Sequence, residues 1–106
     1  MTRRTHGSSR CLVAVLALVL GGAAIAADPN KGGQTYRLHC SMCHGENGHR
    51  VMPNAPDFSR GEGTFQSDMA LLKRIEAGKN ACPSYRGILQ QEDILDLIAH
   101  IRTLRR

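Results

Sequence analysis

The C-terminal part of the chain carries the clearest pattern of hydrophobic and polar positions. From about Gln91 to Leu104, apolar residues recur at spacings of three and four, with polar residues between them. This spacing matches the period of an α-helix, so the pattern predicts a helix with a single apolar stripe. The stripe consists of Ile94, Leu97, Ile98, Ile101 and Leu104.

Two earlier helices are predicted from their ends as much as from their apolar positions. One is expected over Asp28 to Cys40, where Pro29 suits the first turn. Ser67 can cap another over Asp68 to Ala77, and Gly78 would end it. No stretch alternates apolar and polar residues as a strand would. We therefore expect an all-α fold with three main helices and two long loops, and loops of this length need something to pack against.

The N-terminal segment has the three-part pattern of an export signal. Three arginines precede an apolar run from Cys11 to Leu20, and small residues follow at Ala24 to Ala26. This predicts a signal peptide over residues 1–26 and a mature domain over residues 27–106, in the periplasm or another exported compartment. An uncleaved N-terminal anchor is the alternative. The run is short for a membrane-spanning helix, so no membrane span is expected after cleavage.

Composition and charge narrow the class of protein further. The predicted mature part keeps 11 basic and 9 acidic residues, a net charge of +2, and it has no basic stripe interleaved with aromatic residues. These features argue against a nucleic-acid-binding protein. The chain has only two Phe, two Tyr and no Trp. A domain of this size and composition buries a thin core and usually needs a staple or a cofactor.

The segment Cys40 to His44 reads Cys-Ser-Met-Cys-His, a C-x-x-C-H motif. Its spacing lets two thiols, Cys40 and Cys43, reach two vinyl groups of one porphyrin, while His44 binds the iron as the proximal ligand. A redox dithiol would be expected within a βαβ pattern, and a zinc site would need a second ligand pair at suitable spacing. A disulfide between Cys40 and Cys43 is the simplest alternative. The motif favours one covalently attached haem c, which would also supply the missing apolar bulk.

With this motif in place, the mature chain resembles the class I cytochromes c over nearly its whole length. Gly32 and Tyr36 stand eight and four residues before Cys40, where that family has a glycine and an aromatic residue. The resemblance implies that the carbonyl of Pro56 accepts a hydrogen bond from the proximal imidazole of His44, which would orient the ring. It also implies that the segment from Ile88 to Leu104 forms a last helix that crosses the first.

The sixth iron ligand is the main departure from that family. Class I cytochromes supply a methionine in the form Met-Pro-x-aromatic, whereas this chain reads Cys82-Pro83-Ser84-Tyr85. The resemblance therefore assigns the distal position to Cys82, with Tyr85 as a supporting residue behind it. Cys82 is also the odd cysteine of the predicted mature domain, so a free buried thiol and a cross-link to another chain remain alternatives. The rival distal ligands are Met52, Met42, Met69, His39 and His49.

The Cys-Pro replacement makes the chain similar to the small His/Cys-ligated cytochromes of the heterodimeric NaxL/NaxS type. That similarity implies a redox partner, namely a second c-type cytochrome, a low reduction potential, and binding of NO or CO after Cys82 leaves the iron. The alternative function is a conventional electron-carrier cytochrome c with a different distal ligand. No acid, base or nucleophile constellation accompanies the motif, so catalysis by this chain alone is not expected.

Overall fold

The computed structural model describes residues 1–2, 21 and 25–106. The predicted signal peptide, residues 1–26, lies almost entirely outside the described residues. Within the described part of the chain, no helix has the length and apolar character needed to cross a membrane.

Four α-helices and one 3-10 helix make up the regular structure of residues 25–106, which contain no β-strand. The all-α prediction is therefore confirmed, and the three predicted main helices are present with ends shifted by at most one residue. A four-residue helix at the C-x-x-C-H segment and a 3-10 turn in the first long loop were not predicted. The elements are α1 Pro29–His39, α2 Ser41–His44, the 3-10 helix Phe58–Arg60, α3 Asp68–Ala77 and α4 Gln91–Thr103.

The residues that predicted the helix ends also pair the free backbone groups at those ends. The Asp28 carboxylate accepts from the backbone N–H groups of Asn30 and Lys31 at the start of α1. The Ser67 hydroxyl accepts from the Ala70 N–H at 3.1 Å, and Gly78 ends α3 at a φ of 70°. Such caps pair backbone groups that a helix terminus otherwise leaves without partners, so they define where each helix stops.

Helices α1 and α4 cross in close contact, and this crossing is the most extensive packing between elements. Gly32 makes the crossing possible, because a Cβ atom at this position would overlap the backbone carbonyl of Asp96 in α4. Beside it, Tyr36 is fully buried against Leu97 and Ile101. The glycine therefore lets two backbones approach, and the apolar stripe of α4 seals the contact around them.

Helix α3 packs on the other side of the same stripe. Leu71 and Leu72 of α3 meet Ile94 and Ile98 of α4 in a second apolar cluster. Helix α4 is thus buried along two faces, against α1 and against α3. The two long connections, one between α2 and α3 and one between α3 and α4, border the space that this three-helix arrangement leaves open.

Candidate haem site

A cavity of about 580 Å³ lies between the helices and the two long loops. Its volume falls within the range of about 300–1,000 Å³ that is usual for cofactor and ligand pockets. One part of its wall is apolar and comes from α3 and α4, whose contributing residues are Leu71, Ile75, Leu97, Ile98 and Ile101. The apolar stripe of α4 therefore serves both the helix crossing and the cavity.

Cys40, Cys43 and His44 all line this cavity, because α2 turns the C-x-x-C-H segment against it. The structure joins none of its three described cysteines in a disulfide. Burial raises the pKa of the Cys40 thiol to about 12, and the nearby sulfurs of Cys82 and Cys43 add to the rise. A raised pKa is the opposite of the lowered pKa that activates the thiols of redox dithiol sites.

The imidazole of His44 is held by two contacts. Its Nδ1 lies 3.0 Å from the carbonyl oxygen of Pro56, and its ring stacks on Phe58 with centroids 4.2 Å apart and planes inclined by 12°. A carbonyl can only accept, so His44 donates from Nδ1 and its proton resides there. This tautomer leaves the lone pair of Nε2 free to bind a metal, in a ring whose orientation is already set.

The loop after His44 is folded back by backbone bonds and by one buried tyrosine. The hydroxyl of Tyr36 donates to the Gly45 carbonyl at 2.7 Å, and burial raises the pKa of that phenol. Gly45 has a φ of 79° and leaves no room for a Cβ beside the carbonyl of His49. The N–H groups of Val51 and Met52 both donate to the Cys43 carbonyl, at 2.9 and 3.0 Å. These bonds bring Pro56 and Phe58 back over His44.

A chain of polar side chains, buried at Asp57 and Ser59, continues from this loop beside Pro56. The Ser59 hydroxyl donates to the Asp57 carboxylate and, having given its proton there, accepts from Nδ1 of His49 at 2.9 Å. The bond from Ser59 lowers the pKa of Asp57 more than any other contact does. Asp57 is therefore held as a carboxylate although its side chain is almost completely buried.

The second loop brings Cys82 to the cavity from a distant part of the chain. Lys79 and Cys82 exchange two backbone hydrogen bonds, of 2.9 and 3.0 Å, around a tight turn at Asn80, whose φ is 55°. Cys82 and Pro83 both line the cavity and Cys82 is half-buried. The structure therefore places Cys82 in the same cavity as the three residues of the C-x-x-C-H motif.

Tyr85 ties this second loop to the attachment segment. Its hydroxyl donates to the carbonyl of His39 at 3.0 Å, and its ring meets the His39 ring edge-on with centroids 5.4 Å apart. Burial raises the pKa of the Tyr85 phenol. Because His39 directly precedes Cys40, the contact fixes the distance between the Cys82 loop and the attachment cysteines.

The other candidate distal ligands lie partly inside and partly outside the cavity wall. Met52 lines the cavity, but it belongs to the loop that carries Pro56 and Phe58 over His44. Met42 and Met69 are exposed and lie outside the cavity wall. His39 is in the wall with its carbonyl bonded to Tyr85, and His49 is bonded to Ser59.

Sequence reasoning missed two cationic side chains in the cavity wall. Arg74 and Lys79 both border the cavity. Arg74 follows Leu71 by three residues and precedes Ile75, so it lies on the apolar side of α3, and this spacing was a visible signal. Glu62 was also missed, and nothing in the local sequence marks it, because its partners are set by how the loop folds.

One part of the cavity wall carries two thiols and an imidazole whose tautomer is fixed by a hydrogen bond. A largely apolar cavity of this volume with these groups fits a haem joined to the chain by two thioethers. Residues 27–101 match the family model described as "Cytochrome C oxidase, cbb3-type, subunit III". The cytochrome c6 of Thermosynechococcus vestitus is 34% identical over 96 residues, which cover 88% of this chain and 86% of that protein. The cytochrome c6 of Gracilaria tenuistipitata var. liui is 31% identical over 78 residues, or 72% of each chain.

The chain therefore belongs to the class I c-type cytochromes. It carries one covalently bound haem c, and like the cytochromes c6 it is a monohaem electron carrier. The predicted class, fold and cofactor are thus confirmed. The relatives support the class of protein, whereas the roles of individual residues depend on the geometry of the site.

Proposed function

We propose that this protein is a low-potential, one-electron carrier in which Cys40 and Cys43 hold the haem, His44 is the proximal ligand and Cys82 is the distal ligand. The observation that carries the proposal is the position of Cys82, which lines the same cavity as the other three residues although it comes from a separate loop. Haem c supplies a one-electron couple between ferric and ferrous iron.

The geometry at His44 supports its role as the proximal ligand. The bond from Nδ1 to the Pro56 carbonyl fixes the tautomer that leaves Nε2 able to bind iron. The stacked Phe58 ring limits rotation of the imidazole. Such contacts raise the basicity of a ligating histidine and hold it in one orientation, so Pro56 and Phe58 support the ligand from behind.

Cys82 is favoured over Met52 because of where each loop is attached. Met52 belongs to the segment that closes over His44, the same segment that carries Pro56 and Phe58. Cys82 lies on the other loop, which Tyr85 holds at a fixed distance from Cys40. If Cys40, Cys43 and His44 held the haem, Cys82 would be available as a second iron ligand from a loop other than the one that closes over His44.

A thiolate at the distal position explains the expected low potential. Ionised Cys82 would donate negative charge and favour the ferric state, whereas a neutral methionine favours the ferrous state. After one-electron reduction of a bound haem, the Cys82 sulfur would be held less strongly, so it could take up a proton and leave. The vacated position would then be open to NO or CO.

We also propose that residues 1–26 are removed as a signal peptide and that residues 27–106 act in the periplasm or another exported compartment. The redox partner is a second c-type cytochrome, bound as a heterodimer at the surface beside the attachment segment. Apolar side chains are strongly exposed there, among them Leu38, Met42 and Val51. Because the mature net charge is only +2, long-range steering is weak and apolar contact has to hold the partner.

The distal ligand is tested by potentiometry and absorption spectroscopy of the wild type, Cys82→Met and Cys82→Ala. We expect a low-spin ferric wild type with a strongly negative potential, and a rise on the order of 300 mV in Cys82→Met. For a one-electron couple that rise corresponds to about 7 kcal/mol of lost preference for the ferric state. Cys82→Ala should become partly high-spin and bind CO faster after reduction.

Met52→Ala is the matched control, because it removes the sulfur of the rival ligand that also lines the cavity. It should leave the ferric spectrum and the potential unchanged. A wild-type potential in the range of His/Met cytochromes that Cys82→Met does not move would show that Cys82 is only a buried thiol. Loss of the low-spin spectrum in Met52→Ala would assign the distal position to Met52 and restore the conventional electron-carrier function.

The partner is tested by light scattering of the mature protein, alone and mixed with c-type cytochromes purified from the same cells. We expect a mixed dimer that Met42→Ser weakens, since this change removes exposed apolar surface without touching the cavity wall. If the protein stays monomeric at every concentration and in every mixture, the heterodimer is wrong. The proposed ligation would stand in that case, because it depends on different residues.

A further inference from the structure

The peptide group between Pro56 and Asp57 is hydrogen-bonded at both of its ends. Its carbonyl oxygen accepts from Nδ1 of His44 at 3.0 Å. Its N–H donates to Oε2 of Glu62 at 2.9 Å. A single amide therefore stands between the imidazole of His44 and the carboxylate of Glu62.

The loop holds Glu62 in this position by its own backbone. The N–H of Glu62 donates to the Asp57 carbonyl at 3.0 Å, so the two residues are paired in both directions. Oε2 of Glu62 also accepts from Nη1 of Arg50 at 3.1 Å. Both side chains of this ion pair are a little under two-fifths exposed, so the pair is partly accessible to solvent.

We propose that Glu62 is a positioning residue that sets the electron-donating strength of His44 through this one peptide group. The carboxylate attracts the amide proton, which shifts electron density in the amide towards its carbonyl oxygen. The stronger acceptor then draws the Nδ1 proton of His44 and makes the ring a better donor at Nε2. Hydrogen bonds in series strengthen one another in this way.

The sign of the effect follows from this chain of bonds. A better donor at Nε2 favours ferric iron, so Glu62 lowers the reduction potential. Arg50 partly neutralises the carboxylate and therefore acts in the opposite direction. The inference rests on the proposed role of His44 as proximal ligand, and it is independent of which residue occupies the distal position.

A bonded relay through the peptide group differs from two simpler effects of Glu62, which are closure of the loop and an electric field acting at a distance. Glu62→Gln keeps an oxygen that can accept from the Asp57 N–H but removes the charge, so the loop can stay closed. The field of a partly exposed charge is strongly screened at about 1 M salt, where the Debye length is about 3 Å, whereas a bonded relay is not.

The experiment compares the holoprotein with Glu62→Gln, Arg50→Gln and the control Glu46→Gln. Glu46 is exposed and lies two residues after His44, so its loss changes the same charge without touching the relay. The reduction potential is measured in low salt and at about 1 M salt. The shift of the His44 Nδ1 proton is followed by NMR in protein labelled with ¹⁵N-histidine.

We expect the potential to rise in Glu62→Gln and to fall in Arg50→Gln, with both changes persisting at high salt and with Glu46→Gln close to the wild type. The His44 Nδ1–H resonance should move upfield in Glu62→Gln, as its hydrogen bond weakens, and downfield in Arg50→Gln. Arg50→Gln keeps the bond between Glu62 and Asp57, so it gives an independent result if Glu62→Gln does not fold.

A change in potential that disappears at high salt, or that Glu46→Gln reproduces, would overturn the relay. So would an Nδ1–H resonance that neither variant moves. These outcomes differ from failure of the proposed ligation. If the His44 resonances show no paramagnetic shift in the ferric wild type, His44 does not bind iron and the proposed function is wrong at that point.

Discussion

The crossing of α1 and α4 and the two loops around the cavity are built in different ways. At the crossing, backbone meets backbone at Gly32 and Asp96, and the surrounding contacts are apolar. The loops are held by a few hydrogen bonds, such as those of Tyr36 to Gly45 and of Tyr85 to His39. Apart from a hydrogen bond of 2.6 Å from the Asp28 N–H to the Asp96 carboxylate, the crossing depends on close fit between the two helices. The loops instead surround a cavity of about 580 Å³ that a haem would fill.

The largest expected effect comes from preventing haem attachment with Cys40→Ala and Cys43→Ala together. Without the haem, the cavity of about 580 Å³ would expose its apolar wall to water, and the two loops would lose the surface they pack against. A small domain has only about 5–15 kcal/mol of unfolding free energy to lose. We expect a largely unfolded chain by far-UV circular dichroism, because α4 lines the cavity as well as the crossing.

Native-like ellipticity with a cooperative thermal transition in this double variant would contradict that expectation. It would show that the helix crossing is stable by itself and that the haem organises only the loops. Cys82→Ala serves as the control, because it removes one cavity sulfur but leaves the attachment cysteines in place.

Gly32→Ala tests the crossing directly. A methyl group at this position overlaps the Asp96 carbonyl, so the helices have to move apart, and we expect a loss of about 1–3 kcal/mol or more in the free energy of unfolding. Gly33→Ala is the matched control, because it makes the same change in α1 but meets only the side chain of His100, at 3.0 Å or more. Denaturant unfolding of both variants gives the comparison, and equal losses would mean that close backbone approach is not what Gly32 provides.

Tyr85→Phe tests the anchor of the Cys82 loop. It removes the bond to the His39 carbonyl and should cost about 0.5–1.5 kcal/mol in the free energy of unfolding. Because the loop is then freer, CO should also bind faster to the ferrous protein. Tyr36→Phe removes a hydroxyl bond from the other loop, so it should lower stability without changing that rate. If both variants bind CO at the wild-type rate, Tyr85 does not control the position of Cys82.

The smallest expected effect is a pH dependence within the crossing. His100 packs on Tyr36 with centroids 5.1 Å apart, and burial lowers its pKa. Below about pH 6.5 the unfolded chain therefore binds a proton that the folded chain resists. The contribution of neutral His100 to the free energy of unfolding should be fully present above that pH and should decrease as the pH falls towards the lowered pKa.

His100→Phe and His100→Gln should both flatten this part of the stability profile, since neither side chain titrates. Denaturant midpoints measured between about pH 5 and 8 give the test, in the range where histidine changes its charge. A wild-type slope that persists in both variants would assign the pH dependence to another group.

Much of the fold could be predicted because it depends on residues close in sequence. The cap at Ser67 and the stop at Gly78 gave the bounds of α3, and the stripe of α4 was complete in the amino-acid sequence. The short helix at Ser41–His44 could not be predicted in this way, since four residues carry no period. The 3-10 turn at Phe58–Arg60 likewise depends on how Gly48 and Ser59 meet across the loop.

The residues of the candidate site also differ in whether the sequence could predict them. The attachment motif was recognisable because covalent chemistry demands a fixed spacing between Cys40, Cys43 and His44. The resemblance to class I cytochromes also suggested the contact between His44 and Pro56, which the structure contains at 3.0 Å. Neither source pointed to Glu62, because a charged residue in a loop has no local sign of its partner. Arg74 did have a signal, its place beside Leu71 and Ile75 on the apolar side of α3, but that signal does not name the cavity.

By itself, the sequence determined the helices, the haem attachment motif and the cysteine at the position of the usual methionine, because each depends on neighbours a few residues apart. Only the tertiary structure decided that Tyr85 bonds to a carbonyl 46 residues away and that one peptide group joins His44 to Glu62. The physical reason is that long loops owe their course to contacts made after folding, when atoms distant in sequence become the nearest partners for buried polar groups.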